Sequence, residues 1–162
     1  MIIIIDTREK DIDHIKKYFD AKKITYMQRT LKTGDYSAVI PKNEELGITR
    51  DIQLKACLER KASIDEITGN LGKLKRTAFE NELLRSSQHP FVLVVEDADG
   101  YGKILRGDYR SSYDPKALLG SLKSFEVKYN FSMVFLDKDY MGNYIYYHFH
   151  YMVNQYLKNG LI

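Results

Sequence analysis

A strand pattern gives way to a helix start in the stretch Glu59-Arg60-Lys61-Ala62-Ser63-Ile64-Asp65. Residues 52–58 alternate between apolar and polar side chains, which predicts a β-strand running up to Lys61. In a strand, side chains two residues apart share a face, so Glu59 and Lys61 are expected to project together and Arg60 to the other side. Such a pair suits metal-dependent phosphodiester hydrolysis, although Glu-x-Lys is more commonly a solvated ion pair.

Length and composition describe an ordinary globular chain. Its 162 residues suffice for one domain with a sizeable core, and 44% hydrophobic with 29% charged residues excludes a disordered tail. The 25 basic and 22 acidic residues nearly balance, so any nucleic-acid surface must be local. The single cysteine, Cys57, excludes an internal disulfide framework. Because no apolar run has the length of a membrane span or the form of a signal peptide, we expect a cytoplasmic protein with no membrane partner.

Charged residues follow a buried strand near the start of the chain. Residues 2–5 are all isoleucine, which predicts a strand covered on both faces, and this strand ends at Asp6 and Arg8. Ligands collect beyond the carboxyl ends of strands in open α/β sheets, so both residues are candidates for a site. A polar loop cap is the alternative.

A second aspartate begins another predicted strand. Residues 24–31 and 35–40 predict two strands around a tight bend, in which Gly34 can adopt a positive φ and Asp35 opens the second strand. We expect the strands carrying Asp35 and Glu59 to be neighbours. The chain repeats Gly-Asp-Tyr at Gly107, but this copy lies in the segment 98–114, which is predicted to be a loop and is therefore discounted as a metal site.

Three helices are predicted between Ser63 and the tail. Ser63 and Glu66 have the form of a capping box, so a helix should begin directly after the strand with Asp65 in its first turn. A second segment, 73–85, is expected to bury Leu74, Ala78 and Leu83 or Leu84, and to carry Arg76 and Glu80 on one face. Asp114 and Pro115 form the start of a third, which should bury Leu118, Leu119, Leu122 and Phe125.

The tail predicts a tyrosine-rich helix at about 139–159, ending before Gly160. Its apolar stripe can pack on the sheet. It can also form a homodimer or heterodimer interface, since tyrosine is enriched in interface cores.

The order of these motifs resembles the XPF-type structure-specific endonuclease family, the excision-repair cross-complementing group four nuclease domain. Gly34-Asp35, then Glu59-Arg60-Lys61 with Asp65, match that family's Gly-Asp and Glu-Arg-Lys-x-x-x-Asp pattern. Asp6-Thr7-Arg8-Glu9 matches its leading Asp-x-Arg-Glu. Arg76 and Glu80 resemble its later arginine and glutamine pair, with a carboxylate where glutamine is usual.

This resemblance implies a single nuclease domain over residues 1–162 with a restriction-endonuclease-like α/β core, a central mixed β-sheet flanked by helices. It implies cleavage of branched or flapped DNA near single-strand to duplex junctions, in repair, recombination or phage DNA processing. Because the chain ends before any of the family's additional domains, we expect a stand-alone prokaryotic or phage protein.

The resemblance also assigns roles. Asp35 and Glu59 are expected to ligate Mg²⁺ or Mn²⁺, and Lys61 to orient the attacking water or offset charge in the transition state. Arg60 is expected to pair with Asp65 or Asp6. The predicted catalytic residues are Asp6, Asp35, Glu59, Lys61 and Asp65, and the predicted phosphate-binding or supporting residues are Arg8, Arg60 and Arg76. Arg106 and Arg110 are further candidates for substrate contact.

Three alternatives stay open at this point. The chain can be a catalytically inactive DNA-binding partner or scaffold, although such members typically lack the acidic cluster that is present here. It can be a restriction-like nuclease with a different nucleic-acid substrate and the same metal chemistry. It can also be a dimeric structural module that uses the tyrosine-rich helix.

Overall fold

The computed structural model describes residues 1–161. Contacts divide the chain into two compact units, one formed by Met1–Ala56 with the segment from Asp139 onward, the other by Cys57–Lys138. None of the helices within residues 1–161 combines the length and hydropathy needed to cross a membrane.

The first unit is built on the isoleucine strand. Its elements are β1 (Ile2–Ile5), α1 (Asp13–Ala21), β2 (Tyr26–Gln28), β3 (Tyr36–Ile40), a 3₁₀-helix (Glu44–Leu46), β4 (Ile52–Gln53) and α6 (Met141–Lys158), which a second 3₁₀-helix (Lys138–Tyr140) precedes. Strand β1 pairs in parallel with β2 and antiparallel with β3, and β4 pairs antiparallel with β3. The sheet of this unit is therefore mixed, as predicted.

The predicted adjacency of the strands at 24–31 and 35–40 is wrong, because β1 lies between β2 and β3. A buried strand must pair its backbone groups on both edges, and β1 does so with one neighbour on each side. Helix α1 supplies the crossover that a parallel β1–β2 pair requires.

The predicted continuous strand over 52–61 is also interrupted. Strand β4 ends at Gln53, and the buried Ser37 hydroxyl donates to the Ala56 carbonyl at 2.8 Å. A side chain thus satisfies a backbone group that a strand ladder would otherwise pair.

Helix α6 packs against α1 and β3 within the first unit. It buries Ile145, Phe149 and Val153, and a Cβ at Gly142 would lie 2.8 Å from the Cβ of Tyr18, so only glycine permits this close helix contact. The prediction that the tail helix packs on the sheet is confirmed.

The second unit is a parallel sheet with helices. Its elements are β5 (Cys57–Lys61), α2 (Ile64–Asn70), α3 (Arg76–Ser86), β6 (Phe91–Glu96), α4 (Gly100–Arg106), α5 (Pro115–Tyr129) and β7 (Ser132–Leu136). Strand β6 pairs in parallel with both β5 and β7. The main apolar core of the unit joins β5 and β6 to helices α2, α3, α4 and α5. Helices accompany the strands of both units, which confirms the predicted α/β class.

Two predicted segments differ from the structure. The stretch 98–114 contains α4, whose Gly100 packs so tightly that an added Cβ would meet the Phe135 ring. Helix α3 begins at Arg76 instead of Lys73, and Leu74 is 99% exposed instead of buried. The Lys75 amide donates to the Gly72 carbonyl at 2.9 Å, so the residues before α3 form a turn and present Leu74 to solvent.

Helix α5 follows its predicted cap. The Asp114 carboxylate accepts a hydrogen bond from the Ala117 amide at 2.9 Å, and Leu118, Leu122 and Phe125 are buried. Leu119, the fourth side chain predicted to be buried in α5, is only partly buried and packs against the core.

Candidate active site

Asp6 lies buried directly after β1 and organises the surrounding chain. Its Oδ1 accepts hydrogen bonds from the Arg8 amide at 2.8 Å and from Arg8 Nε at 2.7 Å. Its Oδ2 accepts from the Leu31 amide at 2.6 Å and from Arg8 Nη2 at 3.1 Å. Burial would raise the pKa of the Asp6 carboxyl, but these hydrogen bonds outweigh it and hold that pKa below its ordinary value. Asp6 is therefore an ionised anchor for two loops.

Asp35 lies beside Asp6 in the first unit. The Asp6 amide donates to the Asp35 carbonyl at 2.7 Å, which continues the antiparallel pairing of β1 with β3. Gly34, with φ of 72°, provides the left-handed turn that the sequence predicted there. The structure thus brings Asp6 and Asp35 to adjacent strand ends.

Glu59 and Lys61 form a buried ion pair in the second unit. Lys61 Nζ donates to Glu59 Oε1 at 2.6 Å, which confirms that the two side chains share a face of β5. This face is the one that carries Cys57 toward the apolar core, and Lys61 Nζ lies 5.9 Å from the centre of the Phe79 ring of α3. Glu66 Oε1, 3.5 Å from Lys61 Nζ, is a second acidic neighbour.

Lys61 is held in its charged form. Burial would lower the pKa of the ammonium, but the charge and hydrogen bond of Glu59 outweigh burial, so the pKa lies above its ordinary value. A lysine with such a pKa is a poor general base at neutral pH. It is instead a fixed positive charge inside the protein.

Arg60 has a partner that the sequence does not predict. Its Nη2 donates to Glu96 Oε2 at 2.8 Å, and both side chains are buried. In the parallel register Arg60 lies opposite Val94, and Glu96 follows two residues later on the same face of β6. The predicted pairing with Asp65 or Asp6 overlooked this neighbour, because β6 begins some thirty residues further along the chain and register is not readable from spacing.

The start of α2 follows its prediction. Ser63 is the N-cap, with its hydroxyl accepting from the Glu66 amide at 3.3 Å, while Glu66 Oε2 accepts from the Ala62 amide at 2.8 Å. Asp65 Oδ1 accepts from the Arg110 amide at 2.8 Å, and its Oδ2 lies 3.4 Å from Arg110 Nε. No sequence signal links these two residues, since the loop carrying Arg110 lies two helices and one strand downstream of Asp65.

Arg76 and Glu80 form the predicted pair on one face of α3. Arg76 Nε donates to Glu80 Oε1 at 3.0 Å, and its guanidinium lies 5.1 Å from the centre of the Phe125 ring. Glu80 also accepts from the Tyr129 hydroxyl at 2.9 Å, which lowers the pKa of Glu80. These contacts hold α3 to α5.

The donor chemistry suits a hard divalent cation. Asp35 and Glu59, which lie in different units, both offer carboxylate oxygens, the ligands that Mg²⁺ and Mn²⁺ prefer. Within residues 1–161, histidine, cysteine, aspartate and glutamate side chains form no group of three or more that could hold a metal. Ligation by Asp35 and Glu59 stays a prediction.

Comparisons with known proteins agree on the fold. The family model of the ERCC4 domain matches residues 5–148. The structure is similar to XPF from Aeropyrum pernix, at 13% identity and a TM-score of 0.66, covering 96% of this chain and 67% of that one. It is also similar to XPF from Aeropyrum pernix in complex with DNA, at 13% identity and a TM-score of 0.64, covering 95% of this chain and 66% of that one.

These likenesses confirm the predicted fold class. The chain spans about two thirds of the length of the two solved chains. No curated protein sequence matches it.

Proposed function

The chain belongs to the ERCC4 domain family, and from this membership we propose that it is an endonuclease that hydrolyses phosphodiesters in branched or flapped DNA with Mg²⁺ or Mn²⁺. The family match and the likeness to XPF support a structure-specific nuclease. The similar chain solved in complex with DNA supports DNA as the partner. The cation, the junction specificity and a role in repair, recombination or phage DNA processing are parts of the proposal.

The buried Glu59–Lys61 pair is the observation that carries the proposal. Two opposite charges taken out of water lose hydration, and their attraction repays that loss only with good geometry and further hydrogen bonds. Placing such a pair on the face of β5 that otherwise carries core side chains is a poor way to stabilise a sheet. It is a useful way to hold a fixed positive charge beside a carboxylate for use on a phosphate.

The proposed chemistry divides among few residues. A cation held by Asp35 and Glu59 would lower the pKa of a bound water and polarise the phosphoryl oxygen. Lys61 offsets the negative charge that develops on the phosphate, since its raised pKa keeps it protonated. Asp6 holds the loops after β1 and before β3. Arg8, whose side chain is 68% exposed, is anchored by Asp6 and is proposed to contact a phosphate.

Labelled flap, fork, duplex and single-stranded substrates test the proposal. We expect cutting of the branched substrates with Mg²⁺ or Mn²⁺, and none with EDTA. Cutting of duplex or RNA instead would indicate a restriction-like nuclease with a different substrate. Binding without cutting under either metal would contradict the enzyme and favour an inactive partner.

The two Gly-Asp-Tyr copies supply a matched pair of variants. Asp35→Asn should reduce the cleavage rate by roughly a thousandfold, because it removes a charge from the proposed cation site. Asp108→Asn changes the same residue type, also after a glycine with positive φ, and should leave the rate at saturating DNA unchanged. Equal effects of the two substitutions would contradict the role of Asp35.

A further inference from the structure

The loop between α4 and α5, residues 107–113, is braced from within. The Tyr109 hydroxyl donates to the Tyr113 carbonyl at 2.8 Å, and the Tyr113 amide donates to Ser111 Oγ at 3.0 Å. The Tyr113 hydroxyl in turn accepts from Arg76 Nη1 at 3.2 Å. These bonds fix the shape of the loop and tie it to α3.

Arg110 is the cation that this loop presents to solvent. Its side chain is 93% exposed, against 57% for Arg106 and 35% for Lys103 in the preceding helix. Arg106 pairs closely with Asp99, and Lys103 pairs with Asp97 at 2.8 Å. The Arg110 guanidinium has the longest of these three ion pairs, at 3.4 Å. Of the three cations, it would therefore lose the least interaction energy with its acidic partner on turning toward a phosphate.

Asp65 holds the backbone of Arg110 more firmly than it holds the Arg110 side chain. The 2.8 Å bond to the Arg110 amide sets the position of the residue, while the long contact to Nε leaves most of the guanidinium to solvent. Asp65 precedes Glu66, whose carboxylate caps the Ala62 amide and lies near Lys61 Nζ. The first turn of α2 therefore links the Glu59–Lys61 pair to the loop 107–113.

We propose that Arg110 binds a DNA phosphate and that Asp65 is a positioning residue that holds Arg110 for this contact. The inference rests on the proposed function, because it assumes a DNA substrate. It assigns Asp65 to substrate binding instead of to cation binding or proton transfer. A guanidinium suits this task, since its planar donors match phosphate oxygens.

Salt-dependent binding tests the Arg110 contact. Affinity for a labelled fork is measured in EDTA over a series of salt concentrations, with intact DNA verified on a gel. Arg110→Ala should weaken binding by about tenfold. It should also reduce the slope of log affinity against log salt by about 0.7 to 0.9, the value for one phosphate contact.

Two variants sharpen that measurement. Arg110→Lys keeps the charge and should restore the salt slope, which a merely structural role would not predict. Arg85→Ala removes an exposed arginine from the last turn of α3 and should change neither affinity nor slope. An unchanged slope in Arg110→Ala would overturn the phosphate contact.

The role of Asp65 is tested by a double-mutant cycle and by kinetics. Asp65→Ala should raise KM for the fork with kcat within about threefold of wild type, because uniform binding is lost. Adding Asp65→Ala to Arg110→Ala should cost little more than Arg110→Ala alone. Additive losses, or a fall in kcat without a change in KM, would overturn the positioning role.

Failure of this inference is distinguishable from failure of the proposed function. If the wild-type chain neither binds nor cuts any DNA, the proposed function fails and the inference fails with it. If the wild-type chain cuts the fork and Arg110→Ala keeps the full salt slope, only the inference fails.

Discussion

Strand β5 carries two buried ion pairs on opposite faces. Glu59 and Lys61 pair along the strand itself, at 2.6 Å, on the face directed toward the core of the second unit. Arg60 points the other way and pairs across the sheet with Glu96 at 2.8 Å. One pair is local to three residues, and the other joins two parallel strands.

This difference between the two ion pairs indicates different roles for them. The Arg60–Glu96 pair links β5 to β6, so each charge satisfies a buried partner on a neighbouring element. Glu59 and Lys61 both belong to β5, and the further acidic contact of Lys61 is Glu66, whose side chain is 44% exposed. We infer that the cross-strand pair serves the sheet and the local pair serves the reaction.

The largest expected effect is on stability, at Arg60. Arg60→Met leaves the Glu96 carboxylate buried without this partner and should lower the free energy of unfolding by about 3–5 kcal/mol. Urea denaturation followed by circular dichroism measures it. The folded fraction should keep its cleavage rate within a few-fold, because Arg60 supports the sheet through Glu96 on the face of β5 opposite to Glu59 and Lys61.

A double variant distinguishes the pair from its separate charges. Arg60→Met with Glu96→Leu replaces both ions by apolar side chains and should recover most of the lost stability. If Arg60→Met were as stable as wild type but inactive, the Arg60–Glu96 pair would serve the reaction and not the stability of the sheet.

Lys61 comes next, with its effect on the rate. Lys61→Met should reduce kcat by about a hundredfold to a thousandfold, the range for removing one charge-stabilising donor. Because the substitution also leaves Glu59 buried without its lysine, circular dichroism must show that the variant is folded. If a folded Lys61→Met variant kept kcat within a few-fold of wild type, the Glu59–Lys61 pair would have no role in the reaction. It would then serve the fold, like the Arg60–Glu96 pair.

Local features of both units were readable from the sequence. The isoleucine run predicted β1, the alternation at residues 52–58 predicted a strand up to Lys61 with Glu59 and Lys61 on one face, and the Ser63 capping box placed the start of α2. Each rests on neighbours a few residues apart. Backbone periodicity and capping act over that range, so sequence spacing decides them.

Long-range pairings were not readable. The insertion of β1 between β2 and β3, the Arg60–Glu96 pair and the contact from Asp65 to Arg110 all join residues more than twenty positions apart or depend on strand order. Spacing does not encode which strand becomes the neighbour, and several orders bury the same apolar faces. The helix α4 was missed because its glycine and tyrosine content is typical of loops, while the close approach to Phe135 that requires Gly100 is a tertiary contact.

The smallest expected effect concerns pH. A raised pKa means that Lys61 stays protonated as pH increases through the range in which an ordinary lysine begins to lose its proton. Arginine stays charged between about pH 8 and pH 10. If Lys61 stays charged there as well, the cleavage rates of the wild type and of Lys61→Arg should depend on pH in the same way over this range. A decline in wild type that is absent in Lys61→Arg would mean that the lysine titrates in this range. The local pair would then lack the fixed charge that distinguishes it from the Arg60–Glu96 pair.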